Sequence, residues 1–284
     1  MIPKIGFALQ GKYDRPLPQV VDLLKKAGFS AVSPLWSEEL DMESLADAVL
    51  KNGMTFQYIH APHKNISLLW QPELPDSTVA QEKILLAIDD CARYQVPVLV
   101  IHGWNGFFYD FVEETLDFRF FDRMVSYARE KGVSVAFENL EGEEFLGALL
   151  YRYRNCSHVG FCWDSGHDHC YPHKTDFLCA YGNRLLMTHL NDNFGLRDPA
   201  GVPNGFDDLH FLPYDGNLDW NAALLRMKTA PVQEILNFEI KIFSHSTNPE
   251  DQPYARLSME KFVELAALRA QQIAEKYAQI MSQA

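Results

Sequence analysis

The stretch HVGFCWDSGHDHCYPH, His158–His173, runs from an apolar segment straight into Asp-Ser-Gly-His and then into further His and Cys. Three readings compete for it: a compact zinc knuckle, one part of a catalytic metal site completed from elsewhere in the chain, or a polar turn. Its apolar half, HVGFCWD, is one of eight similar runs. The others are KIGFAL (from Lys4), FSAVSPL (from Phe29), TFQYIH (from Thr55), VPVLVIH (from Val96), VSVAFEN (from Val133), RLLMTHL (from Arg184) and EILNFEI (from Glu234). Between them PQVVDLLKKAG, MESLADAVLKNG, AQEKILLAIDDCARY, FDRMVSYAREKG and EEFLGALLYRY carry apolar residues at helical spacing. Strands alternating with helices describe a parallel sheet, and eight repeats predict an α/β fold, a single (β/α)8 barrel spanning residues 1–284. A doubly wound nucleotide-binding sheet fits less well, because no G-x-G-x-x-G follows any strand. The long closing segment SMEKFVELAALRAQQIAEKYAQIM reads as a helix that covers the barrel or packs against a second copy in a homodimer.

The strand ends answer the opening question. From the third strand on they carry His60, His102, Glu138, Asp164, His189 and Glu239. A parallel barrel points all such ends at one face, where the loops build binding sites. His167 follows Asp164 by three residues, and Asp208 and His210 lie in the long connection after the seventh strand. Imidazoles and carboxylates without thiolates suit Zn, Mn, Co or Fe(II) and argue against a Cys-rich structural zinc site. Cys162 and Cys170 lack C-x2-C spacing and read as packing thiols, and His169 and His173 as loop residues. Glu138 and Glu239 follow apolar residues (VAFE, LNFE), where an unpaired carboxylate is costly, so each needs a metal or a cation; Lys241 is the alternative partner of Glu239. His60 and His102 read as site residues or as core-edge histidines, and Asp208 and His210 as ligands or as a solvated lid.

Composition limits the rest. The chain has 284 residues, 47% hydrophobic, with no low-complexity tract. A net charge of −13 without a Lys/Arg-rich run weighs against a nucleic-acid partner. The N-terminus MIPKIGFALQGKYDR has a Lys within its apolar run and no small-residue cleavage site, and no segment approaches the ~18 apolar residues of a membrane span. With five cysteines, an odd number, these features lead us to expect a cytoplasmic protein with reduced thiols.

The motifs IHAP (His60), VIHG (His102), FEN (Glu138), WDSGH (Asp164, His167), THLND (His189, Asp192), DLHFLPYDGNLDW (Asp208, His210) and FEI (Glu239) resemble the xylose-isomerase-like TIM-barrel superfamily over nearly the whole chain. That superfamily includes sugar and sugar-phosphate isomerases, ketose 3-epimerases and AP endonucleases of the endonuclease IV type. In the epimerase branch the resemblance implies one divalent ion (Mn, Zn, Co or Mg) on Glu138, Asp164, His189 and Glu239, with the two glutamates moving protons and His167 facing a small sugar substrate. Glu144 falls at the offset of a second glutamate in that branch. The epimerases also place an Arg shortly after the strand-seven His; here Gly195 stands there and Arg197 comes two residues later. The endonuclease branch implies three zinc ions on nine ligands, adding His60, His102, His167, Asp208 and His210. NLEGEE after Glu138 departs from the endonuclease pattern, and GNLDW agrees with the sugar-acting members. The expected function is a metal-dependent sugar isomerase or epimerase, with an AP endonuclease or a non-catalytic sugar-binding relative as alternatives. Trp36, Trp70, Trp104 and Trp163, near strand ends, read mainly as packing and secondarily as sugar-stacking residues.

Overall fold

The computed structural model describes residues 1–283. Its first half contains β1 (Lys4–Leu9), α1 (Leu17–Ala27), β2 (Ala31–Pro34), α2 (Met42–Lys51), β3 (Thr55–Phe56), β4 (Ile59–His60), α3 (Pro75–Arg93), β5 (Val98–His102), α4 (Arg119–Glu130) and β6 (Ser134–Glu138). The remainder contains α5 (Glu143–Arg152), β7 (Val159–Asp164), α6 (Ser165–Cys170), α7 (Phe177–Tyr181), β8 (Leu185–His189), α8 (Trp220–Arg226), β9 (Ile235–Phe238) and α9 (Met259–Ser282).

All strand pairs are parallel, in the orders β3-β2-β1-β9 and β4-β5-β6-β7-β8. Parallel bridges Leu35–His60 and Leu190–Phe238 join the two arcs into an eight-staved barrel, with β3 and β4 as two pieces of the third stave. The sequence predicts that stave as one strand. Its break falls at Gln57 and Tyr58, whose side chains turn to a polar layer inside the barrel. Asn237 Nδ2 donates to Gln57 Oε1 at 3.1 Å and Tyr58 Oη donates to Asn237 Oδ1 at 3.2 Å. Gly6 leaves room for this layer, since a Cβ there would lie 2.8 Å from Asn237 Nδ2.

The helices follow their apolar stripes. α1 buries Val20, Val21 and Leu24 and stops at Gly28, whose φ of 106° suits only glycine without strain. Asp41 caps α2 through the Ser44 amide, and Ser258 caps α9 through the Lys261 amide. α9 covers the barrel from outside with Phe262, Ala266, Ala270, Ile273 and Tyr277 all buried. Fully burying a side chain such as Phe262 is worth about 1.5–3 kcal/mol. No helix among the described residues is long and apolar enough to cross a membrane.

Candidate metal centre

Because every stave is parallel, the C-terminal residues of β4 to β8 meet at one end of the barrel. His102 of β5 is in register with Glu138 of β6, and Asp164 of β7 with His189 of β8. Glu138 is the hub. Its Oε1 lies 3.0 Å from His189 Nδ1 and 3.4 Å from His167 Nδ1, and its Oε2 lies 3.2 Å from His60 Nε2 and 3.4 Å from His102 Nε2. His189 Nδ1 also lies 2.8 Å from Glu239 Oε2. Glu138, Asp164, His189 and Glu239 offer four ligand atoms within 4.8 Å of one another; the sets His60–Glu138–His189 and His167–Asp208–His210 meet the same limit. All these residues are buried except His102, which is partly exposed.

The stretch 164–170 forms the short helix α6 because the Asp164 carboxylate caps it, accepting from the His167 amide at 2.8 Å. Asp164 is held in turn by Asn191 Nδ2, at 3.1 Å and 2.9 Å from its two oxygens, while Asn139 pairs with its backbone. Gly166 admits Asn191: a Cβ there would lie 1.9 Å from Asn191 Oδ1. Gly166→Ala should therefore displace Asn191, release Asp164 and cost about 1–3 kcal/mol, with a parallel loss of metal affinity. Thermal unfolding and metal titration of the variant check both effects.

Asp208 and His210 arrive from the long connection between β8 and α8. An antiparallel bridge between Asp192 and Phe211 folds it back, and the Lys241 amide donates to the His210 carbonyl at 3.0 Å. His210 sits at φ 51°, a left-handed conformation that a non-glycine residue adopts at a cost. The result places His210 Nε2 2.7 Å and His167 Nε2 3.4 Å from Asp208 Oδ2.

The histidines share a second feature. His60 Nδ1 donates to the Ala61 carbonyl (2.7 Å), His102 Nδ1 to Asn105 Oδ1 (3.0 Å), His167 Nδ1 to the Asn139 carbonyl (2.8 Å) and His210 Nδ1 to the Glu239 carbonyl (2.9 Å). Fixing the proton on Nδ1 leaves Nε2 as the lone-pair atom, and in all four rings Nε2 faces a carboxylate oxygen. Two acceptors in contact need a proton or a cation between them. This outer hydrogen bond is what metal-bound histidines characteristically make. Buried His189 Nε2 and Asp208 Oδ1 also have no hydrogen-bond partner among the described residues. The donor set fits a divalent cation.

The electrostatics agree. Burial alone would raise Glu138, but His189, His102 and His60 more than reverse it and hold the carboxyl well below the usual range. Against the same burial, His189, His210 and Lys241 lower Glu239. His210 and His167 likewise lower Asp208. Asp164 is pushed up to about 6 by burial, reinforced by Glu138 and Glu239. His189 and His167 are raised well above the ordinary value: burial opposes the charge, but carboxylates around His167 and Cys162, Glu138 and Glu239 around His189 prevail. Shifted in this direction, both rings favour the protonated form without metal and must lose that proton to ligate, so loading zinc at pH 7 should release protons. Calorimetric titration in buffers of different ionisation enthalpy measures the number; a value near zero would contradict the assignment.

Glu144 is not brought to the cluster, because its carboxylate accepts from Tyr109 Oη at 2.6 Å. Arg197 is turned away as well, pairing with Asp207 and Asp251 to latch the long connection. Cys162 and Cys170 are buried in packing; His169 lies on α6 rather than in a loop and bonds Asn217, while His173, in the loop after α6, bonds the His167 carbonyl. Trp70 and Trp163 pack in the core, Trp104 stacks on Phe145 and Trp36 lines a separate cavity beside α3. None of the four lines the site, a cavity of about 220 Å³. Gln10, His63, Lys241 and His245 do line it, and sequence reasoning missed three of them as site residues, having weighed Lys241 only as an ion-pair partner. For His63 there was one available signal, its H-x-x-H spacing from His60.

The chain belongs to the xylose isomerase-like TIM barrel family, whose model matches residues 21–262. An uncharacterized protein y4fM of Sinorhizobium fredii is 33% identical over 163 residues, 54% of this chain and 49% of that one, so the match spans about half the length of the relative. Among solved structures, an IolI protein with a bound zinc atom superposes with a TM-score of 0.75 at 15% identity, over 95% of this chain and 98% of that one. The D-psicose 3-epimerase of Clostridium cellulolyticum H10, solved with D-tagatose, superposes with a TM-score of 0.66 at 11% identity, over 97% and 99% of the two chains. At these identities the likeness establishes the fold.

Proposed function

We propose that this chain is a divalent-metal-dependent isomerase or epimerase of a small sugar or sugar phosphate, acting as one domain over residues 1–284. The observation that carries the reading is the convergence of Glu138 and Glu239 on His189, at 3.0 Å and 2.8 Å, next to a cavity of about 220 Å³ that Glu239 lines together with His60, His102 and His167. That volume lies below the ~300 Å³ at which drug-sized ligand sites begin, and suits a compact substrate. Glu138, Asp164, His189 and Glu239 would hold one cation, and its charge would stabilise the oxygens beside a C–H bond as that bond loses its proton. Both glutamates are held ionised by their histidines, so either can accept the proton. In epimerisation one takes it and the other returns a proton from the opposite face; in isomerisation one glutamate carries it between neighbouring carbons. Relatives named as sugar epimerases support this class. Five unpaired cysteines suit a reducing, cytoplasmic setting.

A second reading has its own observation. The His60–His102–Glu138 and His167–Asp208–His210 groupings would hold two further zinc ions, as the endonuclease branch of the resemblance implies. A small cavity and a net charge of −13 favour the sugar enzyme over one that grips a duplex through its phosphates. Incubation with ketoses and aldoses in deuterated solvent separates the two. Exchange of a sugar C–H proton, with no incision of an abasic duplex, is the expected result; incision without exchange on any sugar sinks the proposal.

A further inference from the structure

We propose that the wall of the cavity formed by Lys241, Gln10 and His245 is an oxyanion subsite, so that the substrate carries a terminal phosphate or carboxylate. This deepens the proposed function and rests on the cavity being a sugar site.

Carboxylate and donor meet at the end of β9, where Lys241 follows Glu239 by two residues. The carboxylates and their histidines come from β4 to β9 and the long connection, whereas Gln10 follows β1 and Lys241 follows β9. Those two strands are paired in register from Lys4–Ile235 to Phe7–Phe238, so their ends lie side by side. Lys241 is only 8% exposed, yet its ammonium faces the cavity. Nζ donates to His245 Nε2 at 2.8 Å, and its nearest carboxylate oxygen, Glu239 Oε1, stands at 3.8 Å, beyond hydrogen-bonding reach. An ammonium has three donors, and with one given to His245 and the paired Glu239 carboxylate beyond hydrogen-bonding reach, two are left unused. The adjacent donor, Gln10 Nε2, is buried with no hydrogen-bond partner among the described residues. Two under-used donors on neighbouring strand ends, in a chain of net charge −13, form a local wall that matches an acceptor-rich anion. Glu141, the carboxylate outside the clusters that lines the cavity, follows β6 on the far side. A compact substrate therefore lies with its anionic end against Lys241 and the adjoining carbons beside Glu239, whose Oε1 is 3.8 Å from that ammonium.

The test is calorimetric binding to the metal-loaded protein of D-fructose, D-fructose 6-phosphate and D-gluconate. Wild-type protein should bind at least one anionic sugar tenfold or more tighter than D-fructose. The tighter of the two tells phosphate from carboxylate. Lys241→Met should erase that preference at unchanged metal content per chain, and Gln10→Leu, which leaves Glu239 and Lys241 in place, should reduce it severalfold. If Lys241 serves only to balance Glu239, the preference is absent from wild type or survives in Lys241→Met, and the proposal is overturned. Failure of both anionic sugars to bind overturns it too. Solvent exchange is read separately: a preference for anions without C–H exchange on any sugar supports this subsite while removing the isomerase reading.

Discussion

Glu239→Gln should reduce turnover by about 10³-fold or more on any sugar that the wild-type protein converts. The amide keeps the shape of the side chain and one oxygen that can face a cation, but it can neither accept nor return a proton. It also removes the charge that His189 Nδ1 meets at 2.8 Å, so metal affinity should fall as well. Turnover is therefore to be compared at saturating metal, with bound metal measured by elemental analysis. His210→Ala supplies the contrast. Its Nε2 contacts Asp208 at 2.7 Å and its nearest approach to the Glu239 carboxylate is 3.7 Å, so an isomerase should lose no more than about tenfold, whereas an enzyme using a third ion should lose nearly all activity. A Glu239→Gln protein retaining a tenth of wild-type turnover would refute the assigned role.

Glu138→Ala should do more than stop the chemistry. Four histidines, 60, 102, 167 and 189, stand within 3.4 Å of the Glu138 carboxylate, which is shared between two of the ligand groupings. Removing it takes the shared counter-charge from four imidazoles, among them the buried His189, which its surroundings shift toward the charged form, a loss of about 3–5 kcal/mol for breaking a buried pair. The protein should bind no metal at either grouping that includes position 138, and its unfolding midpoint should drop by roughly 6–20 °C for a domain of this size. Glu138→Gln, which keeps the volume, should recover much of the stability and little of the metal. Equal metal content in Glu138→Ala and wild type would show that the ion, if bound, is held elsewhere.

The element order was legible in the sequence for a local reason. Apolar runs such as VLVIH and VAFE and the helical stripes between them report burial residue by residue, and parallel connectivity then puts His102, Glu138, Asp164 and His189 at one end whatever the loops do. Asp164 and His167 could also be read together, because three residues span one capped helical turn. What lay beyond the sequence depends on contacts distant along the chain. Asp208 and His210 reach the cluster only because the connection after β8 folds back on the Asp192–Phe211 bridge and accepts φ 51° at His210. Glu144, on the expected offset, turns to Tyr109, and Arg197 to Asp207 and Asp251, since a surface side chain takes the partner that the packed loops place nearest. The break between β3 and β4 belongs to Asn237, some 180 residues away in the chain, which draws Gln57 and Tyr58 inward. Periodicity and residue type thus determined the barrel and which residues crown it; long-range packing decided which of them meet, because the direction of a loop or a rotamer is set by neighbours that local sequence does not contain.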